Sequence, residues 1–209
     1  MTKMYKKKLG LVHVYTGNGK GKTTMAMGIA LRSAGQNLNV HVIQFLKGGY
    51  YTGEFLAISN YIPQITFEQY GKPCIKEKKQ LKLGGFEGIP KVEFYREDVE
   101  CGECRWCFLQ DEEEKRLALK AFERAKEVIK DPNKNVVILD EIIVCLARNI
   151  FTSEELLNLI KSKHEHCELV LTGRYAPKEI IEQADLASEM KLLKHPFMKG
   201  IPARKGIEY

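Results

Sequence analysis

The stretch that decides the fold class is Tyr15-Thr16-Gly17-Asn18-Gly19-Lys20-Gly21-Lys22-Thr23-Thr24. It follows an apolar run at 11–15 and leads into a helix-forming run at 25–31. A strand, a glycine-rich turn and Gly-Lys-Thr at a helix start are typical of a phosphate-binding P-loop. The loop N–H groups and the helix N-terminus attract phosphate, Lys22 reaches the terminal phosphates, and the Thr23 hydroxyl joins the shell of a magnesium ion.

The loop departs from the common spacing at its first position. Thr16 stands where glycine is usual, and Lys20 adds a second lysine inside the loop. We therefore expect a nucleotide to bind in an unusual pose, with a glycine-rich turn that binds nothing as the open alternative. A dinucleotide-binding loop is not supported, because its third glycine is misplaced and the next strand ends in Gln44-Phe45 instead of an acid.

A second acidic element follows the fully apolar run 136–139, which ends in Asp140-Glu141. An acid at the carboxyl end of a strand next to the P-loop strand is where P-loop enzymes meet their magnesium ion. We predict that Thr23, Asp140 and Glu141 hold Mg²⁺. The alternative is that the two acids only cap the helix that follows.

The rest of the chain alternates between strand and helix patterns. Strands are predicted near 9–15, 38–45, 65–70, 136–139, 168–172 and 189–194, and helices near 22–33, 111–130 and 177–184. A capping box at 152–155 predicts the start of a further short helix. This alternation predicts an α/β fold, a P-loop (RecA-like) three-layer domain with a mostly parallel sheet flanked by helices. We expect one domain over 1–209, with a long irregular loop at about 71–110.

Composition limits which ligands, membrane associations and cysteine chemistry are expected for this chain. The 209 residues carry a net charge of +6, which suits a polyphosphate ligand and is too weak to argue for nucleic acid alone. Neither a membrane-length apolar run nor a signal core behind the N-terminal lysines is present, so we expect a cytoplasmic protein with no membrane partner. Six cysteines in such a protein favour metal ligands or free thiols over disulfides.

Several stretches together resemble the ATP:corrinoid adenosyltransferases of the cobalamin-synthesis type, and the similarity runs from Leu9 to Tyr209. The stretches include the P-loop with its late first glycine, Gln44-Phe-Leu-Lys-Gly48, Leu139-Asp-Glu141, Leu171-Thr-Gly-Arg174, Ala184-Asp-Leu-Ala-Ser-Glu189, Lys194-His195 and Gly206-Ile-Glu-Tyr209.

The resemblance implies that the Co(I) of cobalamin or a precursor corrinoid attacks the 5′ carbon of ATP and that triphosphate leaves. It also implies a P-loop fold, reversed ATP in the loop, a homodimer, and an electron-donor protein such as a flavodoxin. Lys22, Thr23 and Glu141 would be catalytic, with Mg²⁺ held as above. The ATP-binding residues would be Thr16, Gly17, Asn18, Gly19, Lys20, Gly21, Lys22, Thr23, Thr24 and Arg32.

The loop at 71–110 carries the predicted corrinoid side of the site. By resemblance, Trp106 falls on a tryptophan that presses on the lower corrin face; the family's second aromatic is replaced by Cys104, and Phe108 is its candidate substitute. The alternative for Trp106, the only tryptophan, is that it is simply a core residue. The Cys-x2-Cys-x2-Cys spacing of Cys101, Cys104 and Cys107, with Cys74 upstream, predicts structural zinc or an iron–sulfur cluster, the alternative being free thiols.

Two other functions stay open from the sequence. A small-molecule kinase or ATPase would use the same P-loop, release ADP and recruit Asp140 or Glu141 as a base. A nucleotide-gated nucleic-acid binder would show strongly salt-dependent binding, but few aromatics are interleaved for base stacking.

Overall fold

In the computed structural model, the described residues are 9–49, 52–73, 77–82, 91–96 and 109–209. The strands are β1 (Val12–Thr16), β2 (Val40–Phe45), β3 (Ile65–Tyr70), β4 (Glu77–Lys82), β5 (Lys91–Arg96), β6 (Val136–Asp140), β7 (Glu168–Thr172) and β8 (Leu186–Glu189). The helices are α1 (Lys22–Ala34), α2 (Gly53–Tyr61), α3 (Glu112–Val128), α4 (Ile142–Ala147), α5 (Ser153–Lys161) and α6 (Lys178–Glu182), followed by a 3₁₀ helix at Pro196–Lys199. Within these ranges, no helix is long and apolar enough to cross a membrane.

Six of the described strands form one sheet in the order β3–β2–β6–β7–β1–β8, and every neighbouring pair is parallel. The predicted α/β fold with a mostly parallel sheet is confirmed. The expectation that the acidic strand lies directly beside the P-loop strand is wrong, because β7 lies between β6 and β1. The carboxyl ends of all six strands nevertheless meet at one edge of the sheet, which is where open α/β sheets bind ligands.

Alternation along the strands gives the fold its three layers. In β6, Val137 and Leu139 pack on one face with α3, α4 and α5, whereas Val136 and Ile138 pack on the other with α1. A strand with both faces covered is apolar at successive positions, as the fully buried run Val136–Asp140 shows. Two helices also carry clear start signals: the Asp111 carboxylate accepts a hydrogen bond from Glu114 N at α3, and Thr152 with Glu155 forms a capping box at α5.

Two predicted elements differ from the structure, and one helix was not predicted. The last strand lies at Leu186–Glu189 and not at 189–194, because the backbone of Met190 and Leu192 turns to hydrogen-bond the P-loop instead of continuing the sheet. The stretch 71–110 is not wholly irregular, since β4 and β5 pair there as an antiparallel hairpin. Helix α2 has no counterpart among the sequence predictions.

A buried histidine on β2 makes stability depend on pH. The His41 side chain is 1% exposed, its Nε2 lies 2.8 Å from Glu68 Oε1, and its Nδ1 has no hydrogen-bond partner among the described residues. Burial lowers the pKa of His41 from its ordinary 6.5, and the nearby Glu68 carboxylate only partly opposes that effect. The folded protein therefore holds His41 as a neutral imidazole at a pH where the unfolded chain already binds a proton.

We predict that the free energy of unfolding falls as pH drops from 7 to 5, by up to about 1.4 kcal/mol per pH unit from this group. Above pH 7 neither state binds the proton, so the dependence disappears there. His41→Gln should flatten the slope, since glutamine keeps a donor toward Glu68 and cannot titrate. Urea unfolding at several pH values measures this, and equal slopes for both proteins between pH 5 and 7 would refute it.

Candidate active site

The P-loop is held in shape by a direct backbone contact with the segment that follows β8. Gly19 N donates to Met190 O at 2.7 Å, and Met190 N donates to Thr16 O at 2.8 Å. A Cβ atom added at Gly17, where φ is +105°, would lie 2.3 Å from Met190 O. Glycine is therefore required at this position both by the close approach and by the backbone conformation. The loop glycines serve packing as well as phosphate binding.

Two predicted ATP-binding residues of the loop make structural hydrogen bonds. The Thr16 side chain is buried, and its Oγ1 accepts a hydrogen bond from Ala176 N at 3.1 Å. Asn18 Oδ1 accepts one from Leu192 N at 3.0 Å. These bonds tie the P-loop to the ends of β7 and β8, so both side chains stabilise the loop, and their contact with ATP stays a prediction.

Lys22 lies buried inside the loop with its ammonium facing the loop carbonyls. Its Nζ donates to Gly17 O at 2.8 Å and to Gly19 O at 2.7 Å. Burial lowers the pKa of Lys22, and the neighbouring Glu141 carboxylate opposes that shift. The bonds to the loop fix the position of this cation in the lining of the cavity described below, and its contact with phosphate stays a prediction.

Asp140 is the centre of a buried polar network at the end of β6. Its carboxylate has no exposed surface, and accepts hydrogen bonds from Thr172 Oγ1 at 2.6 Å and from Thr23 Oγ1 at 3.0 Å. Burial acts to raise the pKa of Asp140, but the Lys47 ammonium and the hydrogen bonds received outweigh it and hold the pKa below its ordinary value. These contacts therefore favour the charged form of Asp140, beside the first turn of α1.

Register places two glutamines behind this carboxylate. Gln69, Gln44 and Asp140 are aligned across β3, β2 and β6. Gln69 Nε2 donates to Gln44 Oε1 at 2.6 Å, and Gln44 Nε2 donates to Asp140 Oδ2 at 2.8 Å. Because the Gln44 amide accepts from Gln69 on one side and donates on the other, the row fixes the orientation of Gln44 and directs a donor at Asp140.

Glu141 has a different environment from its neighbour. It occupies the left-handed region with φ +65° at the start of α4, and its N–H donates to Thr172 Oγ1 at 2.9 Å. Burial, together with the charge of Asp140, raises the pKa of Glu141. A non-glycine residue at positive φ is strained, and such strain is concentrated at functional sites. This backbone turn places Glu141 in the lining of the cavity described next.

A cavity of about 370 Å³ opens in front of these groups. Its floor is the P-loop run from Gly19 to Thr24, and its cationic lining includes Lys47 and Arg174. Two further parts of its wall come from places that carry no local sequence signal for a site: the start of α2 at Gly53 and Glu54, and the segment Gly206–Tyr209. The second part is held by Glu208, which lies 3.4 Å from Lys20 Nζ and also pairs with Arg204. Of the sequence features, only the family resemblance indicates a role for Gly206–Tyr209.

The remaining predicted site residues lie elsewhere. Arg32, in the last turn of α1, lines a separate cavity of about 570 Å³ together with His13 and Tyr15, so its nucleoside contact stays a prediction. His195, left without a role by the sequence, caps the 3₁₀ helix by accepting from Phe197 N at 3.0 Å. Trp106, Phe108, Cys74, Cys101, Cys104 and Cys107 lie outside the described residues.

The donor set at the end of β6 fits a hard divalent cation. The Thr23 hydroxyl and the Asp140 carboxylate converge within 3.0–3.1 Å, and Glu141 is the next residue along the chain. Hydroxyl and carboxylate oxygens are the protein ligands that Mg²⁺ prefers. Burial and the neighbouring Asp140 carboxylate raise the pKa of Glu141, because both disfavour its charged form. A bound cation would offset both effects.

Comparison with known proteins identifies the family of this chain. A family model described as ATP:corrinoid adenosyltransferase BtuR/CobO/CobP matches residues 8–209. A corrinoid adenosyltransferase of Sinorhizobium sp is 35% identical over 201 residues, which cover 96% of this chain and 80% of that protein. The corrinoid adenosyltransferase CobA of Salmonella typhimurium is 30% identical over 200 residues, covering 96% and 86%. The P-loop, the Asp-Glu pair and the parallel sheet thus occur in a chain that belongs to the ATP:corrinoid adenosyltransferase family.

Proposed function

We propose that this protein transfers the 5′-deoxyadenosyl group of ATP to the Co(I) centre of a corrinoid and releases triphosphate. One observation carries the proposal. The residues that line the phosphate cavity, from Gly19 to Thr24 with Glu141 and Arg174, belong to a chain matched over 8–209 by the adenosyltransferase family model.

The reaction needs little acid–base chemistry from the protein. Co(I) supplies the electron pair that attacks C5′, a cobalt–carbon bond forms, and the C5′–oxygen bond breaks with its electrons passing to the triphosphate. The chain's tasks are therefore positioning and stabilising charge on the leaving group. Lys22 and the loop N–H groups face that charge from the floor of the cavity, and Lys20, Lys47 and Arg174 surround it.

We infer that Mg²⁺ is the resident cation, held by Thr23, Asp140 and Glu141. When bound, it neutralises part of the developing charge on the triphosphate. Gln44 and Thr172 orient the Asp140 carboxylate toward that position through their bonds of 2.8 and 2.6 Å. Asp140 itself needs no proton transfer in this scheme, which agrees with a pKa held below its ordinary value. The kinase alternative gains no support from the matched family.

We propose a homodimer in the cytoplasm. The outermost strand, β8, is exposed at all four residues, and no described strand pairs with its outer side. Beyond it, Leu193 is 89% exposed and Phe197 is 73% exposed. An open strand edge beside exposed apolar side chains is the kind of surface that proteins bury in assemblies. Sedimentation should give twice the 23.9 kDa chain mass, and a single-chain mass at micromolar concentration would refute the dimer.

The remaining proposals concern the loop at 71–110 and the source of the electron for Co(I). Trp106 and Phe108 would face the corrin ring, the four cysteines would hold zinc or an iron–sulfur cluster, and an electron-donor protein such as a flavodoxin would supply the electron for Co(I). Metal analysis of anaerobically purified protein tests the cysteine proposal. Bound zinc or iron at about one site per chain supports it, and the absence of both ends it.

Anaerobic spectroscopy tests the proposed function. Protein, Mg²⁺, ATP and chemically reduced cob(I)alamin should give a product with the absorbance of an alkylcobalamin, which reverts on illumination as the cobalt–carbon bond breaks. Reactions without protein provide the control. An unchanged corrinoid spectrum would remove the proposed acceptor.

A further inference from the structure

Lys47 lies two residues after the end of β2, and its ammonium contacts the oxygens that fit the divalent cation. Its Nζ lies 3.3 Å from Thr23 Oγ1 and 3.4 Å from Asp140 Oδ2. Thr23 Oγ1 is itself 3.0 Å from Asp140 Oδ1. In this structure, therefore, a lysine cation uses the same hydroxyl and carboxylate that a metal ion would use.

The charge of Asp140 explains why a cation is present there. A fully buried carboxylate is costly unless it is paired, and Lys47 is its ion-pair partner among the described residues. A lysine ammonium carries a positive charge at neutral pH, and that of Lys47 lies 3.4 Å from the buried carboxylate. Lys47 therefore compensates the charge of Asp140.

The contact of Lys47 is also one that can be released. Charge-assisted bonds between an ammonium and a carboxylate are commonly 2.7–2.9 Å long, so 3.4 Å is a loose pairing. The Lys47 side chain is 34% exposed and lines the phosphate cavity, whereas Asp140 has no exposed surface. The lysine can thus turn into the cavity while the carboxylate stays fixed by Gln44 and Thr172.

We propose that Lys47 is an exchangeable cation: its ammonium compensates Asp140 when no metal ion is bound, and it moves onto the triphosphate oxygens when the metal ion enters. A divalent cation and an ammonium compete for one hydroxyl and one carboxylate, because like charges repel strongly at such short range. The displaced ammonium has the polyphosphate beside it as its next anionic partner. The inference rests on the proposed use of Thr23 and Asp140 as metal ligands.

Binding measurements separate this role from a purely structural one. The probes are Mn²⁺ alone, which reports the cation position by electron paramagnetic resonance, and inorganic tripolyphosphate with Mn²⁺, followed by calorimetry. Lys47→Met should bind Mn²⁺ alone at least tenfold more tightly than the unchanged protein, because the competing ammonium is gone. The same variant should bind Mn²⁺–tripolyphosphate about tenfold more weakly, because one phosphate contact is lost.

Two further variants serve as controls. Lys178→Met removes an exposed lysine of α6 that pairs with Glu182, and should change neither affinity. Lys47→Arg keeps the charge, so its affinity for Mn²⁺ alone should stay close to that of the unchanged protein. Should Lys47→Met fold less stably, Mn²⁺ alone should raise its unfolding temperature more than that of the unchanged protein.

Opposite changes in the two affinities support the exchange. If Lys47→Met binds Mn²⁺ alone no more tightly than the unchanged protein, or binds tripolyphosphate equally well, the exchange is wrong. Failure of the unchanged protein to bind Mn²⁺ with tripolyphosphate would instead remove the proposed metal site. Failure of adenosyl transfer with intact metal binding would remove the proposed function.

Discussion

Lys22→Ala is expected to lower the rate of adenosyl transfer by roughly 10²–10³-fold, the loss that follows removal of one preorganised group facing developing negative charge. Lys22 is only 6% exposed, and its ammonium is held by two carbonyls of the loop at 2.7 and 2.8 Å. The variant loses both the cation that faces the departing triphosphate and the bonds that hold the loop closed around it. Initial rates of alkylcobalamin formation at saturating ATP measure the effect.

Alanine variants of Lys20 and Lys178 provide the comparison for Lys22→Ala. Lys20 is 52% exposed and lies 3.4 Å from Glu208, so solvent screens it and Lys20→Ala should cost less than Lys22→Ala. Lys178→Ala, on the exposed surface of α6, should leave the rate unchanged. A loss below tenfold for Lys22→Ala, or a larger loss for Lys20→Ala, would show that the loop does not position the triphosphate through Lys22.

Asp140→Asn is expected to reduce both stability and activity. The new amide group would face donors from Thr23, Gln44 and Thr172 without the charge that they now share, and Lys47 would lose its carboxylate partner. Breaking such a buried network should lower the free energy of unfolding by about 2–4 kcal/mol. The rate should fall by roughly 10²-fold or more, because a ligand of the proposed cation is lost.

A second aspartate provides the matched control for stability. Asp131 accepts hydrogen bonds from the backbone and side chain of Asn133 at the end of α3, in an exposed position. Asn keeps an acceptor there, so Asp131→Asn should change the unfolding free energy by only about 0.5 kcal/mol or less. Urea unfolding of both variants makes the comparison. Equal stability changes for the two would mean that the Asp140 network contributes nothing specific.

Local sequence patterns predict the parts of the site that are formed by residues close to one another along the chain. The glycines of the P-loop, the apolar β6 ending in Asp140-Glu141, and the helix that starts at Lys22 are each readable from spacing and composition. The same reasoning placed Lys22 and Thr23 in one cavity with Glu141, as the structure has them. These residues come together because parallel strands end at a common edge.

Strand order was not readable in this way, because no local pattern says which strands pair. The prediction places β6 beside β1, whereas β7 lies between them, and its last residue, Thr172, bonds the end of β6 through Asp140 Oδ1 and Glu141 N. The contacts of Gln44 also depend on strand register. Gln44 lies beside Gln69 because β2 pairs with β3, and beside Asp140 because β2 pairs with β6.

The other misses come from contacts distant along the chain. Met190 and Leu192 look like strand residues, but the P-loop takes their backbone hydrogen bonds. The segment Gly206–Tyr209 reaches the cavity from the far end of the sequence, and its polar anchor, Glu208 to Lys20, spans almost the whole chain. Such contacts depend on tertiary packing, which periodicity and propensity do not encode.

The phosphate product of a single reaction is the most direct test of adenosyl transfer against kinase or ATPase chemistry. The protein would be incubated without oxygen with Mg²⁺, ATP and chemically reduced cob(I)alamin, and the phosphorus species would be resolved by nuclear magnetic resonance. Adenosyl transfer should give one triphosphate for each cobalt–carbon bond formed, and no ADP. ADP and inorganic phosphate, with the corrinoid unchanged, would contradict it and identify the P-loop as that of a kinase or ATPase.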